Sequence, residues 1–158
     1  MADQHEMFLW TQTFATLFSL SNKLQIQGDR YLGTLTSRQL MTMIAILHLP
    51  NDQTSLNAIA QKRGTTKQNV KQLVMVLEKK NLIAMKSSEK DRRAYTIEIT
   101  ELGKEVLIQS NERGMSFFAE IFKDFSIDEL ETFWSLMKKL YRYDGEEQDG
   151  FEENATLN

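Results

Sequence analysis

The placement of aromatic side chains constrains this chain more than any other feature of its sequence. It carries nine Phe, two Trp and four Tyr, yet between residues 32 and 116 only Tyr95 is aromatic. Large rings bury the most apolar area per side chain and so mark where a thick core or interface must lie. The pattern implies two regions, one aromatic-rich and built from both ends, the other a leaner middle packed by Leu, Ile, Val, Met and Ala. The ends read as helices: Met7, Trp10, Phe14, Leu17, Ser21 and Leu24 share one helical face, and Phe8, Phe18 and Leu20 widen it. Ile127, Leu130, Trp134, Met137 and Tyr141 repeat that spacing after Ser126 and Glu129, a capping-box pair. Residues 102–125 form another helical stretch, with Phe117, Phe118, Ile121 and Phe122. Terminal helices with so much surplus apolar surface bury it more readily against a second copy than in the core of a monomer.

The middle region has a different grammar. Thr36 and Gln39 make a second capping box, and the only proline, Pro50, ends the helix from Thr36 to Leu49 in the loop HLPNDQTS. Residues 56–75, LNAIAQKRGTTKQNVKQLVM, have the layout of a helix-turn-helix. Ala60 is small where two helices would cross, and Gly64 sits where the turn can require positive φ. Thr65 or Thr66 can cap the second helix. Val70, Leu73, Val74 and Leu77 give that helix one buried face. Its other face carries Gln68, Lys71, Gln72 and Met75, flanked by Lys67 and Asn69. After Asn81, which can take the left-handed conformation that ends a helix, LIAMKS and AYTIEI read as two short strands, with Tyr95, Ile97 and Ile99 on the packed side. A helix-turn-helix followed by a hairpin is a winged helix. The wing tip holds Glu89, Lys90, Asp91, Arg92 and Arg93.

Charge sharpens this reading. The whole chain is mildly acidic, with 19 Lys plus Arg against 22 Asp plus Glu. Six of the acids lie in DGEEQDGFEENATLN, residues 144–158, which contain no base; the composition predicts a frayed, solvated tail, dispensable for folding. Residues 61–93 alone hold ten basic groups against three acidic. A basic surface that joins a Gln- and Lys-bearing helix to a basic tip suits a polyanion: Gln and Asn can read adenine edges, Lys reaches guanine or phosphate, and the tip reaches phosphates or the minor groove.

From about residue 36 to 104 the sequence resembles the MarR family of bacterial transcription regulators. The most specific part is the wing pattern, in which Asp91, Arg93, Thr100 and Gly103 fit an Asp-x-Arg, then Thr-x-x-Gly, motif in register. The resemblance implies that Arg93 enters the minor groove and Asp91 holds it in place. It further implies a homodimer joined through the terminal helices, and a small phenolic or lipophilic effector bound between dimer lobe and DNA lobe, for which Trp10, Phe14 and Met43 are conceivable pocket residues, although core packing is the favoured role of each. Asn81 departs from the family, which usually has glycine there.

The expected fold is mainly α with a small β-hairpin wing: a helical dimerisation lobe from residues 1–30 and 104–143, a winged helix-turn-helix from 31–103, and an acidic flexible tail from 144–158. The expected function is a sequence-specific regulator of transcription on double-stranded DNA, a repressor released by a small molecule, reading a near-palindromic operator. The DNA-contacting residues would be Ser55, Thr65, Thr66, Lys67, Gln68, Asn69, Lys71, Gln72, Lys90, Asp91, Arg92 and Arg93. The alternative is a winged helix whose basic face docks an acidic protein. No cofactor is implied, and an enzyme is disfavoured because no nucleophile constellation or phosphate-binding glycine loop is present. With no cysteine and only His5 and His48 as histidines, thiol chemistry and a metal cluster have no ligands. The N-terminus MADQHEMF lacks a signal-peptide pattern and no apolar run matches a membrane span, so a cytoplasmic protein is expected.

Overall fold

The computed structural model describes residues 1–87 and 94–151. Six helices and one hairpin follow in the order α1 (Gln4–Leu32), α2 (Ser37–His48), α3 (Leu56–Arg63), α4 (Lys67–Lys79), β1 (Ile83–Ser87), β2 (Tyr95–Ile99), α5 (Glu101–Ile121) and α6 (Ile127–Tyr141), and then a short 3-10 turn, Arg142–Asp144. Each helix starts where a short polar side chain replaces a missing intrahelical acceptor. Both expected capping boxes form: the Gln39 amide N–H donates to Thr36 Oγ1 at 3.2 Å and the Thr36 N–H to Gln39 Oε1 at 3.1 Å, with the equivalent pair at Ser126 and Glu129. Asn81, at φ 57°, ends the α4 region in the left-handed conformation.

The core lies in the middle of the chain. Met43 and Ala45 from α2, Ile59 from α3, and Val70, Val74 and Leu77 from α4 are buried together with Leu82, Ile83 and Ile97 of the hairpin region and Leu107 of α5. The two strands pair antiparallel, from Ile83 opposite Ile99 to Ser87 opposite Tyr95. The middle of β2 is tied to the loop before α3, because the Ile97 N–H donates to both the carbonyl of Thr54 (3.1 Å) and its hydroxyl (3.0 Å). Tyr95 departs from the expected packed face: it is exposed, since it pairs at the far end of the hairpin, beyond the reach of the core that covers Ile97.

Thr100 and Gly103 explain how the hairpin passes into α5. The Thr100 hydroxyl donates to the Asn81 carbonyl at 2.7 Å and accepts the Gly103 N–H at 3.0 Å, so one side chain caps α5 and ties it to the end of α4. Gly103 lies against the hairpin so closely that a β-carbon there would meet the Leu82 carbonyl oxygen at 2.1 Å.

The aromatic faces of the terminal helices do not enter this core. Phe14 is 68% exposed and Ile127 75% exposed, and Trp10, Phe18, Leu136 and Leu140 are also open to solvent in the single chain.

The expectation of a frayed acidic tail is corrected for residues 144–151, which lie against α3. The Gln61 side chain donates to Glu146 at 2.8 Å, Lys62 pairs with the Asp149 carboxylate, and Phe151 packs onto the core beside His48. Lys62 supplies the counter-charge and Phe151 the apolar anchor that the acid-rich composition concealed. Residues 152–158 lie outside the described segment.

Candidate nucleic-acid interface

The helix-turn-helix is set by three local choices. Gly64 takes φ 62° and ψ 39°, the left-handed conformation, and its N–H reaches the carbonyls of Ala60 and Gln61, which closes α3 and turns the chain. Thr66, rather than Thr65, then caps α4 by accepting the Asn69 N–H at 3.2 Å. The Thr65 hydroxyl accepts instead from the Asn69 side-chain amide at 3.2 Å, so these two half-buried residues hold each other. Val70, Val74 and Leu77 fix the inner face of α4, which forces Lys67, Gln68, Lys71 and Gln72 outward, and all four are exposed.

That outer face is electrostatically one-sided. Among the described residues the ion pairs lie elsewhere, at Lys62–Asp149, Lys86–Glu98, Lys104–Glu101 and Lys123–Glu120, and the first turn of α4 holds no acid. The positive end of the α4 dipole and the ammonium groups of Lys67 and Lys71 therefore act in the same direction, toward an anion. Ser55 is exposed at the start of α3, where its hydroxyl accepts the Ala58 N–H at 3.1 Å. Lys90, Asp91, Arg92 and Arg93, the wing-tip candidates, lie outside the described residues; the strands that carry them do not, and Lys86 pairs with Glu98 across those strands at 2.6 Å.

A second feature lies behind the helix-turn-helix. A cavity of about 590 Å³ opens between α1, α2 and α5, with Leu24, Tyr31, Leu40 and Phe117 among its apolar walls and Arg38 and Arg63 among its polar ones. Burial first, and then the positive charge of Arg38, holds Arg63 below the ordinary arginine value. Trp10, Phe14 and Met43, conceivable as pocket residues but each expected first as core packing, lie elsewhere. None lines the cavity: Met43 is fully buried in the core, and Trp10 and Phe14 lie nearer the N-terminal end of α1, with Leu17 the first wall residue. Arg38 and Arg63 were missed because nothing in their sequence spacing brings the start of α2 to the end of α3.

Residues 34–94 match the family model described as MarR family. A MarR-family regulator from Streptomyces coelicolor, solved in complex with DNA, is 16% identical and superposes with a TM-score of 0.75 over 90% of this chain and 89% of that one. The transcriptional regulator BldR from Sulfolobus solfataricus is 25% identical, with a TM-score of 0.68 over 90% and 99% of the two chains. MepR from S. aureus, also solved with DNA, is 22% identical, with a TM-score of 0.72 over 81% and 96%. The family model covers the helix-turn-helix and the first strand of the hairpin, and the solved structures share the fold of this chain through the terminal helices.

Proposed function

We propose that this chain is a dimeric regulator of transcription that binds double-stranded DNA in a sequence-specific manner, with residues 31–103 as the DNA-binding lobe and residues 1–30 and 104–143 as the dimerisation lobe. The observation that carries the reading is the outer face of α4, where Lys67, Gln68, Lys71 and Gln72 stand exposed on a helix whose other face is locked into the core. Gln68 and Gln72 read base edges; Lys67, Lys71, the capping residues Ser55 and Thr66, and the Thr65–Asn69 pair position the backbone phosphates. Lys90, Arg92 and Arg93, with Asp91 steadying Arg93, extend the contact to the neighbouring groove.

The exposed apolar faces of α1 and α6 support a homodimer. A two-fold pair of α4 helices reads a near-palindromic operator with half-sites roughly one turn, about 10 bp, apart. The chain acts as a repressor, and a small lipophilic or phenolic effector in the cavity between the lobes releases it. No helix among the described residues is long and apolar enough to cross a membrane, and the proposed site of action is the cytoplasm. The test is an electrophoretic shift with genomic fragments against polyanion competitor. Retention of discrete fragments with a two-fold footprint supports the reading; equal retention of all fragments, or none, overturns it.

A further inference from the structure

Residues 145–151 are placed in a way that the DNA-binding reading does not use. Among the described contacts α6 has no extensive packing on the helix-turn-helix; what joins them is the end of α6 and the segment after it. The Tyr141 ring stands against Gly64 at the helix-turn-helix corner. Beyond it, the Gln148 side chain donates to the Lys62 carbonyl at 3.1 Å, which satisfies an acceptor left open at the end of α3. The Lys62 ammonium, its side chain only 12% exposed, donates to the Gly150 carbonyl at 2.7 Å and to the Asp149 carboxylate. Phe151 completes the contact: its ring sits 5.1 Å from the Lys62 ammonium and meets the His48 ring edge-on at 5.9 Å.

These contacts fall on the last turn of α3 and the end of α2, not on the outer face of α4, so the segment does not cover the residues proposed to read DNA. We propose that residues 145–151 are a strap that clamps the end of α6 to α3, with Phe151 as its pin and Lys62 as its socket, so that the helix contributing to the dimer lobe also sets where the helix-turn-helix sits. Two half-sites can be engaged together only if both recognition helices are held at the operator spacing. A loosened strap widens the distribution of those positions and costs affinity at the operator, while random DNA, bound through phosphates alone, is little affected. The coupling to DNA rests on the function proposed above; the clamp itself does not.

The test uses the full-length protein and two readouts. Carbethoxylation of His48, measured without DNA and with exposed His5 as internal control, reads the pin directly, because Phe151 shields the imidazole. Titration of operator and scrambled DNA reads the coupling. In Phe151→Ala the expected result is several-fold faster modification of His48, several-fold weaker operator binding and unchanged binding to scrambled DNA, with Phe151→Tyr restoring the wild-type values. Asp149→Asn, at an exposed carboxylate, should give the same changes in smaller measure. An unchanged His48 rate in both Phe151→Ala and Asp149→Asn overturns the clamp, whether or not the protein binds DNA. Faster His48 modification with unchanged or tighter operator binding overturns the positioning role.

Discussion

The phenol of Tyr141 stands so close to Gly64 that a β-carbon at Gly64 would come within 2.8 Å of the phenolic oxygen. The helix-turn-helix corner therefore carries two constraints at one residue, a left-handed backbone and a neighbouring ring. Gly64→Ala should cost about 1–2 kcal/mol from the backbone alone, and more if the tyrosine cannot swing aside. A thermal melt checks the loss; pairing the change with Tyr141→Ala should recover the steric part and leave the backbone part.

Gly103 offers a harder case, because the obstacle is backbone. The Leu82 carbonyl would lie 2.1 Å from an added β-carbon, and neither α5 nor the hairpin can yield without breaking the Thr100 cap. Gly103→Ala should destabilise by about 3 kcal/mol or more, the upper range for overpacking a tight site. Denaturant unfolding with a near-native midpoint would show that the hairpin-to-helix junction is softer than its geometry states.

The two parts of the proposed interface should separate by salt. Arg93→Ala should weaken binding to most sequences and reduce the dependence of log affinity on log salt by roughly one unit. Gln68→Ala should cost on the order of 1–3 kcal/mol at the operator and little on scrambled DNA. Asp91→Ala should act as a milder Arg93 loss, since it frees the arginine rather than removing it. Titrations at two salt concentrations check all three variants, and indifference to Arg93→Ala would exclude the wing from the contact.

Dimerisation is open to a charge placed on an exposed apolar face. Phe14 packs only against Phe18 in the described ring contacts, with centroids 4.9 Å apart, and is otherwise open. In an isolated chain Phe14→Glu would be nearly neutral or would aid solubility; at a dimer interface it buries an unpaired carboxylate and should give monomers. Sedimentation equilibrium decides. A Phe14→Glu protein that stays dimeric would move the interface off α1.

The Asp149 carboxylate is held below the ordinary aspartate value, first by its hydrogen bond from Lys62. A lowered folded value means that the pair's contribution is present above the unfolded aspartate value and is lost as pH falls through the folded one. The carboxylate is largely exposed, so solvent and salt screen the pair and the stability at stake is small. Carbon-detected carboxylate titration should find Asp149 ionising below an unpaired aspartate, and Lys62→Gln should bring it back up.

What was legible in the sequence is what is local. The boxes at Thr36 with Gln39 and Ser126 with Glu129 join residues three apart, and the left-handed Asn81 answers to its own backbone. The helix-turn-helix was legible because the period of Val70, Val74 and Leu77 fixes which side of α4 faces inward. Contacts across the chain were not. Gln148 and Lys62 are 86 residues apart, and in sequence an acid-rich segment next to the C-terminus reads as solvated because its partner cation and its aromatic anchor are remote or single. The cavity was not legible for a similar reason: ring size marks apolar surface, but the meeting of α1 with α2 and α5 decides which turn of α1 lines a space.

The bifurcated hydrogen bond from the Ile97 N–H to Thr54 has a consequence for how such a protein can change over evolutionary time. It fastens the hairpin to the body at the middle of β2, two residues inside the last paired position, Ser87 with Tyr95. Insertions, deletions or charge changes beyond that fastening alter the reach and sign of the tip without passing through the core. Target preference can thus drift at the tip while the fold stays under separate selection.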